Sequence, residues 1–128
     1  MSNKMILIVD DDATLRKTFS LLLKGKYRIL AVGDAEEALA KLPRAKADLL
    51  IADYRLPDVN GLELIRRLRA SGFEGEAMLI SAHPDEIKLE EMSRLGISHF
   101  FVKPLDLGLL NLSIDRLLQP KDLGISRT

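Results

Sequence analysis

The groups with chemistry to offer sit where apolar runs break off. Met5-Ile6-Leu7-Ile8-Val9 leads directly into Asp10-Asp11-Asp12, and Leu49-Leu50-Ile51-Ala52 ends on Asp53. Folding alone asks for no carboxylate at either place. If the two runs are neighbouring parallel strands, their carboxyl ends lie side by side, and Asp10, Asp11 and Asp53 crowd into the crevice where open α/β sheets take their ligands. Carboxylates so placed repel one another unless a cation joins them. Two further apolar runs end on polar groups of other kinds, 77–80 on Ser81 and 100–102 on Lys103.

The elements that must position these groups alternate along the chain. Met5–Val9 reads as a strand buried on both faces, because its apolar run is continuous instead of alternating. Leu15, Phe19, Leu22 and Leu23 then recur at helical spacing, with Gly25 as a stop. Arg28–Val32 is the second strand. Asp34-Ala35-Glu36-Glu37 has the spacing of a capping box and opens a helix through Leu42, with Pro43 beyond it. Leu49–Asp53 is the third strand, and the loop 54–60 passes at Gly61 into a helix carrying Leu64, Ile65 and Leu68, closed by Gly72. After the strand 77–80, Pro84 suits the first turn of a helix that runs with Ile87 and Leu95 inward to Gly96. The strand 100–102 and a helix with Leu107, Leu110, Ile114, Leu117 and Leu118 on one stripe, ending near Pro120, complete five βα units.

Five such units are too few for an eight-stranded barrel. They predict an α/β fold of the flavodoxin-like, doubly wound kind: a five-stranded parallel sheet in the order 2-1-3-4-5 with helices on both faces. That order sets the first strand beside the third at the topological switch point. Residues 1–120 are expected to form one domain, and 121–128 a disordered tail or the start of a linker.

Composition agrees with a single domain and excludes several functions. The 128 residues are 47% hydrophobic and 30% charged, enough for a core. Nineteen basic and nineteen acidic residues cancel, so no global charge favours nucleic acid or an anionic membrane. Arg66, Arg67 and Arg69 are the nearest approach to a basic patch and read as a solvated helix face. With no cysteine there is no disulfide, no thiolate metal site and no Cys nucleophile. The apolar runs are too short for a membrane span or a signal peptide, and a cytoplasmic protein is expected. His83 and His99 lack helical ligand spacing and read as surface or loop residues.

Taken singly, each polar group has an ordinary reading: Asp12 can cap a helix, Ser81 can be a loop serine and Lys103 a surface lysine. Together, in order and on successive strand ends, Asp10-Asp11, Asp53, Ser81 and Lys103-Pro104 resemble the receiver domain of two-component response regulators. The likeness covers nearly the whole chain. The loop Asp53-Tyr54-Arg55-Leu56-Pro57-Asp58-Val59-Asn60-Gly61 also resembles that family's loop, with Asn60 in place of the commoner Asp.

The resemblance implies that Asp53 accepts a phosphoryl group from a sensor histidine kinase or histidine phosphotransfer protein. A carboxylate attacks a phosphate anion poorly unless charge is neutralised, and Mg²⁺, with Mn²⁺ as a substitute, does this with oxygen ligands. Asp11 and Asp53 fit direct ligation and Asp10 direct or water-mediated ligation; by resemblance the backbone carbonyl of Arg55 adds another ligand. Lys103 and Ser81 are expected to contact phosphoryl oxygens, and the small Ala82 to leave the site open. Phe100 takes the place of the family's switch aromatic, with Phe for the frequent Tyr, as Ser81 stands for the commoner Thr.

The resemblance further implies a signalling receiver that catalyses only its own phosphoryl transfer and autodephosphorylation. The kinase side would be Thr14, Leu15 and Thr18 with the Pro104-Leu105 loop. The output side would be the fourth helix, fifth strand and fifth helix, acting on a downstream protein or a covalently linked output domain. Two other functions fit less well. An aspartate-nucleophile phosphatase would need a second acid two residues after Asp53, where Arg55 stands. An FMN protein of the same fold would want Ser, Thr and Gly after the first strand, where three acids would repel the phosphate.

Overall fold

A computed structural model describes residues 3–119, apart from the side chains of 43–45. Five parallel strands, β1 (Met5–Val9), β2 (Arg28–Val32), β3 (Leu49–Asp53), β4 (Glu76–Ser81) and β5 (Ile97–Val102), form one sheet in the order β2-β1-β3-β4-β5. The helices are α1 (Ala13–Leu23), α2 (Ala35–Ala45), α3 (Gly61–Ala70), α4 (Leu89–Arg94) and α5 (Leu107–Leu118). The expected doubly wound, flavodoxin-like architecture is therefore present. The expected tail, 121–128, lies outside the described residues.

Two cores explain the continuous apolar runs. Ile6 and Ile8 of β1 and Leu49 and Ile51 of β3 meet Phe19 and Leu23 of α1 and Leu110, Ile114 and Leu118 of α5. On the opposite face Leu7, Val9, Leu50 and Ala52 meet Ala38 of α2, Leu64, Ile65 and Leu68 of α3, and Met92 of α4. Every residue of β3 is buried, and each large apolar side chain withdrawn from water contributes about 1.5–3 kcal/mol. The strand ends are thereby fixed rigidly, and the polar residue after or at each end inherits that rigidity.

Local signals set most helix starts. Asp12 accepts the N–H groups of Thr14 and Leu15 and caps α1, and Asp34 accepts that of Glu37 at 2.8 Å to cap α2. Glu37 reaches back to the Gly33 N–H, one residue earlier than a standard capping box would place it. α2 runs on to Ala45 in spite of Pro43. Proline's fixed φ is helical, and this close to the helix end the missing donor costs a single hydrogen bond.

Three expectations need correction. Pro84 opens a 3₁₀ turn, Pro84–Glu86, and not α4. Ile87 and Lys88 are extended, at φ −117°, ψ 128° and φ −88°, ψ 132°, which turns Ile87 into the core before α4 starts at Leu89. β5 starts at Ile97, with an irregular register against β4 at Ala77 and Met78. As an edge strand it exposes Ser98 and Val102, so its apolar run looked shorter than the strand is. His99 accordingly lies in this strand, half-buried and stacked on Phe101 with ring centroids 6.0 Å apart.

The three arginines of α3 do not form one solvated face. Arg66 and Arg67 are exposed and pair with Glu63, and Arg66 also reaches Glu91 of α4. Arg69 is no solvated residue. Its guanidinium donates to the carbonyls of Leu95 at 3.0 Å, Gly96 at 3.2 Å, Phe73 at 3.2 Å and Gly75 at 2.7 Å, and lies over the Phe73 ring. It thus anchors the α4–β5 corner to α3, satisfying carbonyls that a helix end leaves without partners.

Candidate functional site

The pairing of β3 with β1 and β4 brings the predicted groups to one end of the sheet. Carboxylate oxygens of Asp10, Asp11 and Asp53 lie within 4.8 Å of one another. Asp10 is 1% and Asp53 6% exposed, whereas Asp11 faces solvent. Asp10 Oδ1 accepts the Asp12 N–H at 2.9 Å, and Asp53 Oδ1 accepts the Arg55 N–H at 3.2 Å. Lys103 Nζ donates to Asp53 Oδ2 at 2.8 Å and forms a longer ion pair, 3.5 Å, with Asp10 Oδ2.

Asp10 Oδ2 accepts no hydrogen bond, although it is buried among the described residues. Burial raises the Asp10 carboxyl pKa; the Asp12 N–H opposes that rise, the neighbouring Asp53 charge adds to it, and Lys103 opposes it again. The Lys103 ammonium loses solvation on burial, yet its bond to Asp53 and the charge of Asp10 keep its pKa above the ordinary value. One ammonium thus serves two buried carboxylates and leaves Asp10 Oδ2 with a long ion pair and no hydrogen bond. A hard divalent cation, which prefers carboxylate oxygens, fits this donor set.

The other predicted groups lie close by. Ser81 ends β4, 1% exposed, and its Oγ accepts the His83 N–H at 2.9 Å. The strand ends are stitched together by Tyr54 N–H donating to Ile80 O at 2.7 Å and Lys103 N–H to Ser81 O at 2.9 Å. Ala82 is exposed, and Arg55, also exposed, pairs its side chain with Glu86 of the 3₁₀ turn. Phe100 is half-buried on the α3–α4 face, opposite Leu79 in register, and Ser81 lies two residues beyond Leu79 on that face.

Gly61 is required by close approach: a Cβ there would lie 2.5 Å from Asp53 O and 2.9 Å from Leu79 Cδ1. Two residues of the surroundings were missed in the sequence. Arg16 of α1 donates to Asp10 O at 2.6 Å, over a Gly33 whose missing side chain leaves it room. Asp58, read as loop, bonds to α2. Asp58 has no local sequence signal, because its partners in α2 become adjacent only when the fold assembles. Arg16 lies six residues from Asp10, but an arginine's bond to a backbone carbonyl leaves no mark in residue type.

The cluster predicts a stability effect. Asp10→Asn keeps an acceptor for the Asp12 N–H while removing a buried charge, so without metal it should melt higher, by about 4 °C for each kcal/mol of relieved repulsion. Asp11→Asn, at an exposed position, should shift the melt less. A divalent cation at a hundredfold excess over its dissociation constant would stabilise the unmutated protein by about 2.7 kcal/mol, and both variants should lose much of that response. Melts in EDTA and in excess cation check this; a lower midpoint for Asp10→Asn in EDTA would mean that Lys103 compensates the carboxylate fully.

The fold and site together define a flavodoxin-like α/β protein with an acidic crevice, at the switch point of the sheet, whose carboxylates could hold a metal ion. The chain belongs to the response regulator receiver domain family, whose model matches residues 6–115. It is 35% identical over 103 residues to the transcriptional regulatory protein CitT of Bacillus subtilis, covering 78% of this chain and 46% of that protein. It is 27% identical over 123 residues to PhoP of the same organism, the alkaline phosphatase synthesis transcriptional regulatory protein, covering 95% and 51%. The chain thus spans about half the length of these curated relatives. Among solved structures, the chemotaxis response regulator CheY4 of Vibrio cholerae superposes with a TM-score of 0.80 at 25% identity, covering 91% of this chain and 100% of that one.

Proposed function

We propose that this chain is the receiver unit of a phosphorelay, over residues 1–120, in which Asp53 accepts a phosphoryl group from a phosphohistidine. The observation that carries this reading is a buried Asp53 held by Lys103 beside Asp10, whose Oδ2 has no hydrogen-bond partner. Asp53 attacks phosphorus through a carboxylate oxygen; the new P–O bond replaces the P–N bond, and the donor imidazole leaves and takes up a proton. Asp10, Asp11, Asp53 and the Arg55 backbone carbonyl would hold Mg²⁺, or Mn²⁺ in its place. Bound there, the ion neutralises charge on the nucleophile and the phosphoryl oxygens.

Lys103 moves its ammonium from Asp53 to a phosphoryl oxygen, which is a short transfer for a point charge on a flexible stem. The Ser81 hydroxyl donates to another, and Phe100 follows it as the switch residue. Hydrolysis of the acyl phosphate in the same site resets the protein, so its only chemistry is on itself. Partners follow from this role: a sensor histidine kinase or histidine phosphotransfer protein upstream, and a downstream protein or linked output domain below. Leu89, Val102, Leu109 and Leu112 are exposed apolar residues of α4, β5 and α5, a surface suited to protein and not to nucleic acid. Among the described residues no helix is long and apolar enough to cross a membrane, and a cytoplasmic site of action suits a cysteine-free receiver.

The test is mass spectrometry after incubation with acetyl phosphate. One phosphoryl adduct is expected, mapping to Asp53 and formed only with Mg²⁺ or Mn²⁺ present. Equal labelling in EDTA would overturn the reading.

A further inference from the structure

The loop after β3 is fastened at two ends, and only one of them belongs to the acidic crevice. At its root, Arg55 N–H bonds to Asp53 Oδ1, and Gly61 N–H donates to Tyr54 O at 2.7 Å, closing the loop on itself. At its tip, Asp58 leaves the loop for α2: Oδ1 accepts the Ala35 N–H at 3.1 Å and Oδ2 the Glu36 N–H at 2.9 Å. Oδ1 also takes the Val59 N–H at 3.0 Å. Ala35 and Glu36 are the first two residues of α2, whose amides no helical carbonyl can satisfy. The helix's own cap, Asp34, serves Glu37 and leaves these two to Asp58.

This contact is too well formed for an incidental loop residue. Burial alone would raise the Asp58 pKa, but the amides of Glu36, Ala35 and Val59 more than offset it and hold the carboxyl below its ordinary range. An ionised carboxylate at the positive end of α2 is also favoured by the helix dipole. Arg55, Leu56 and Pro57 are all that separate the root from Asp58. Releasing the tip would let that short segment rotate, and the Arg55 backbone with it.

We propose that Asp58 is a positioning residue that couples the cation site at Asp53 to the N-terminus of α2. It rests on the reading of that site as cation-dependent. By holding the loop tip against α2, Asp58 fixes the backbone at Arg55, whose N–H already reaches Asp53 Oδ1, so that a carbonyl ligand from Arg55 would need little reorganisation when the cation arrives. Coupling free energies are reciprocal, so cation binding must in turn order the first turn of α2.

The test compares unmutated protein, Asp58→Ala and Asp58→Asn by calorimetric Mg²⁺ titration and by hydrogen exchange of the Ala35 and Glu36 amides. Asp58→Ala should weaken Mg²⁺ binding and, without metal, speed exchange at both amides by about fivefold, the ratio that a helix cap of ordinary strength carries. Asp58→Asn retains a side-chain carbonyl and should recover part of both. In unmutated protein saturating Mg²⁺ should slow the two amides further; in Asp58→Ala it should not. Faster exchange with Mg²⁺ affinity unchanged across all three proteins would make Asp58 a helix cap only and overturn the proposal, as would absence of Mg²⁺ binding by the unmutated protein. If Mg²⁺ binds and shows this coupling while acetyl phosphate leaves Asp53 unlabelled, the coupling stands and the phosphoryl-accepting function fails.

Discussion

Asp53→Asn is expected to take up no phosphoryl group from acetyl phosphate under conditions that label the unmutated protein fully. The amide nitrogen of an asparagine is not a nucleophile, and its carbonyl carries no charge to direct at phosphorus. The fold should survive, because the substituted side chain can still accept the Arg55 N–H through its amide oxygen, a bond of 3.2 Å in the unmutated protein. Lys103 would not be stranded either, since Asp10 Oδ2 lies 3.5 Å from its ammonium and can receive the bond that Asp53 gives up. A folded, cation-binding but unlabelled protein is therefore the expected result, read by circular dichroism and intact mass. Undiminished labelling would move the acceptor to another carboxylate. Asp11, exposed and in the same cluster, is the alternative that the geometry offers.

What the sequence shows of this site depends on whether the signal is local. Met5–Val9, Arg28–Val32 and Leu49–Asp53 are read correctly to the residue, because a strand with buried neighbours or clear turn residues at its ends announces both limits. Asp12 and Asp34 cap helices that begin at the next residue, so their roles are legible. Asp58 caps a helix 23 residues upstream, and Arg69, besides the nearby Phe73 and Gly75 carbonyls, binds carbonyls 26 and 27 residues downstream, so nothing near either residue betrays these distant partners. α4 fails for a different reason. Pro84 is a valid helix opener, but burying Ile87 from an extended conformation outweighs the helical propensity of a short segment, and tertiary packing decides where the helix starts. The clustering of Asp10, Asp11 and Asp53 follows from the adjacency of β1 and β3, which is why it is readable without any knowledge of side-chain packing; Lys103 follows β5, with β4 between, and joins through the reach of its side chain.

Ser81→Ala should separate phosphorylation from its structural consequence. The variant keeps the nucleophile, the carboxylate cluster and Lys103, so beryllofluoride, which mimics the phosphoryl group on Asp53, should still bind it in the presence of Mg²⁺. In the unmutated protein the bond from the His83 N–H uses a lone pair of Ser81 Oγ and leaves the hydroxyl proton available to a phosphoryl oxygen. Drawing that hydroxyl toward Asp53 would pull on the segment after β4 and vacate space on the face where Phe100, half-buried, packs opposite Leu79. The ring should then turn inward, the favourable direction for an aromatic that still exposes surface. A ligand shifts such an equilibrium only by its differential affinity for the two states, and here the Ser81 hydrogen bond is expected to supply that difference. A net hydrogen bond to a charged group contributes about 1.5–3 kcal/mol, so losing it should reduce the switched-to-resting ratio by roughly ten- to a hundredfold. Amide NMR reads this directly: beryllofluoride should move resonances from Ser81 through Phe100 and into α4 in the unmutated protein, and in Ser81→Ala only those next to Asp53. The same distant shifts in the variant at equal saturation would show that Lys103, or the loop after β4, carries the signal without the hydroxyl.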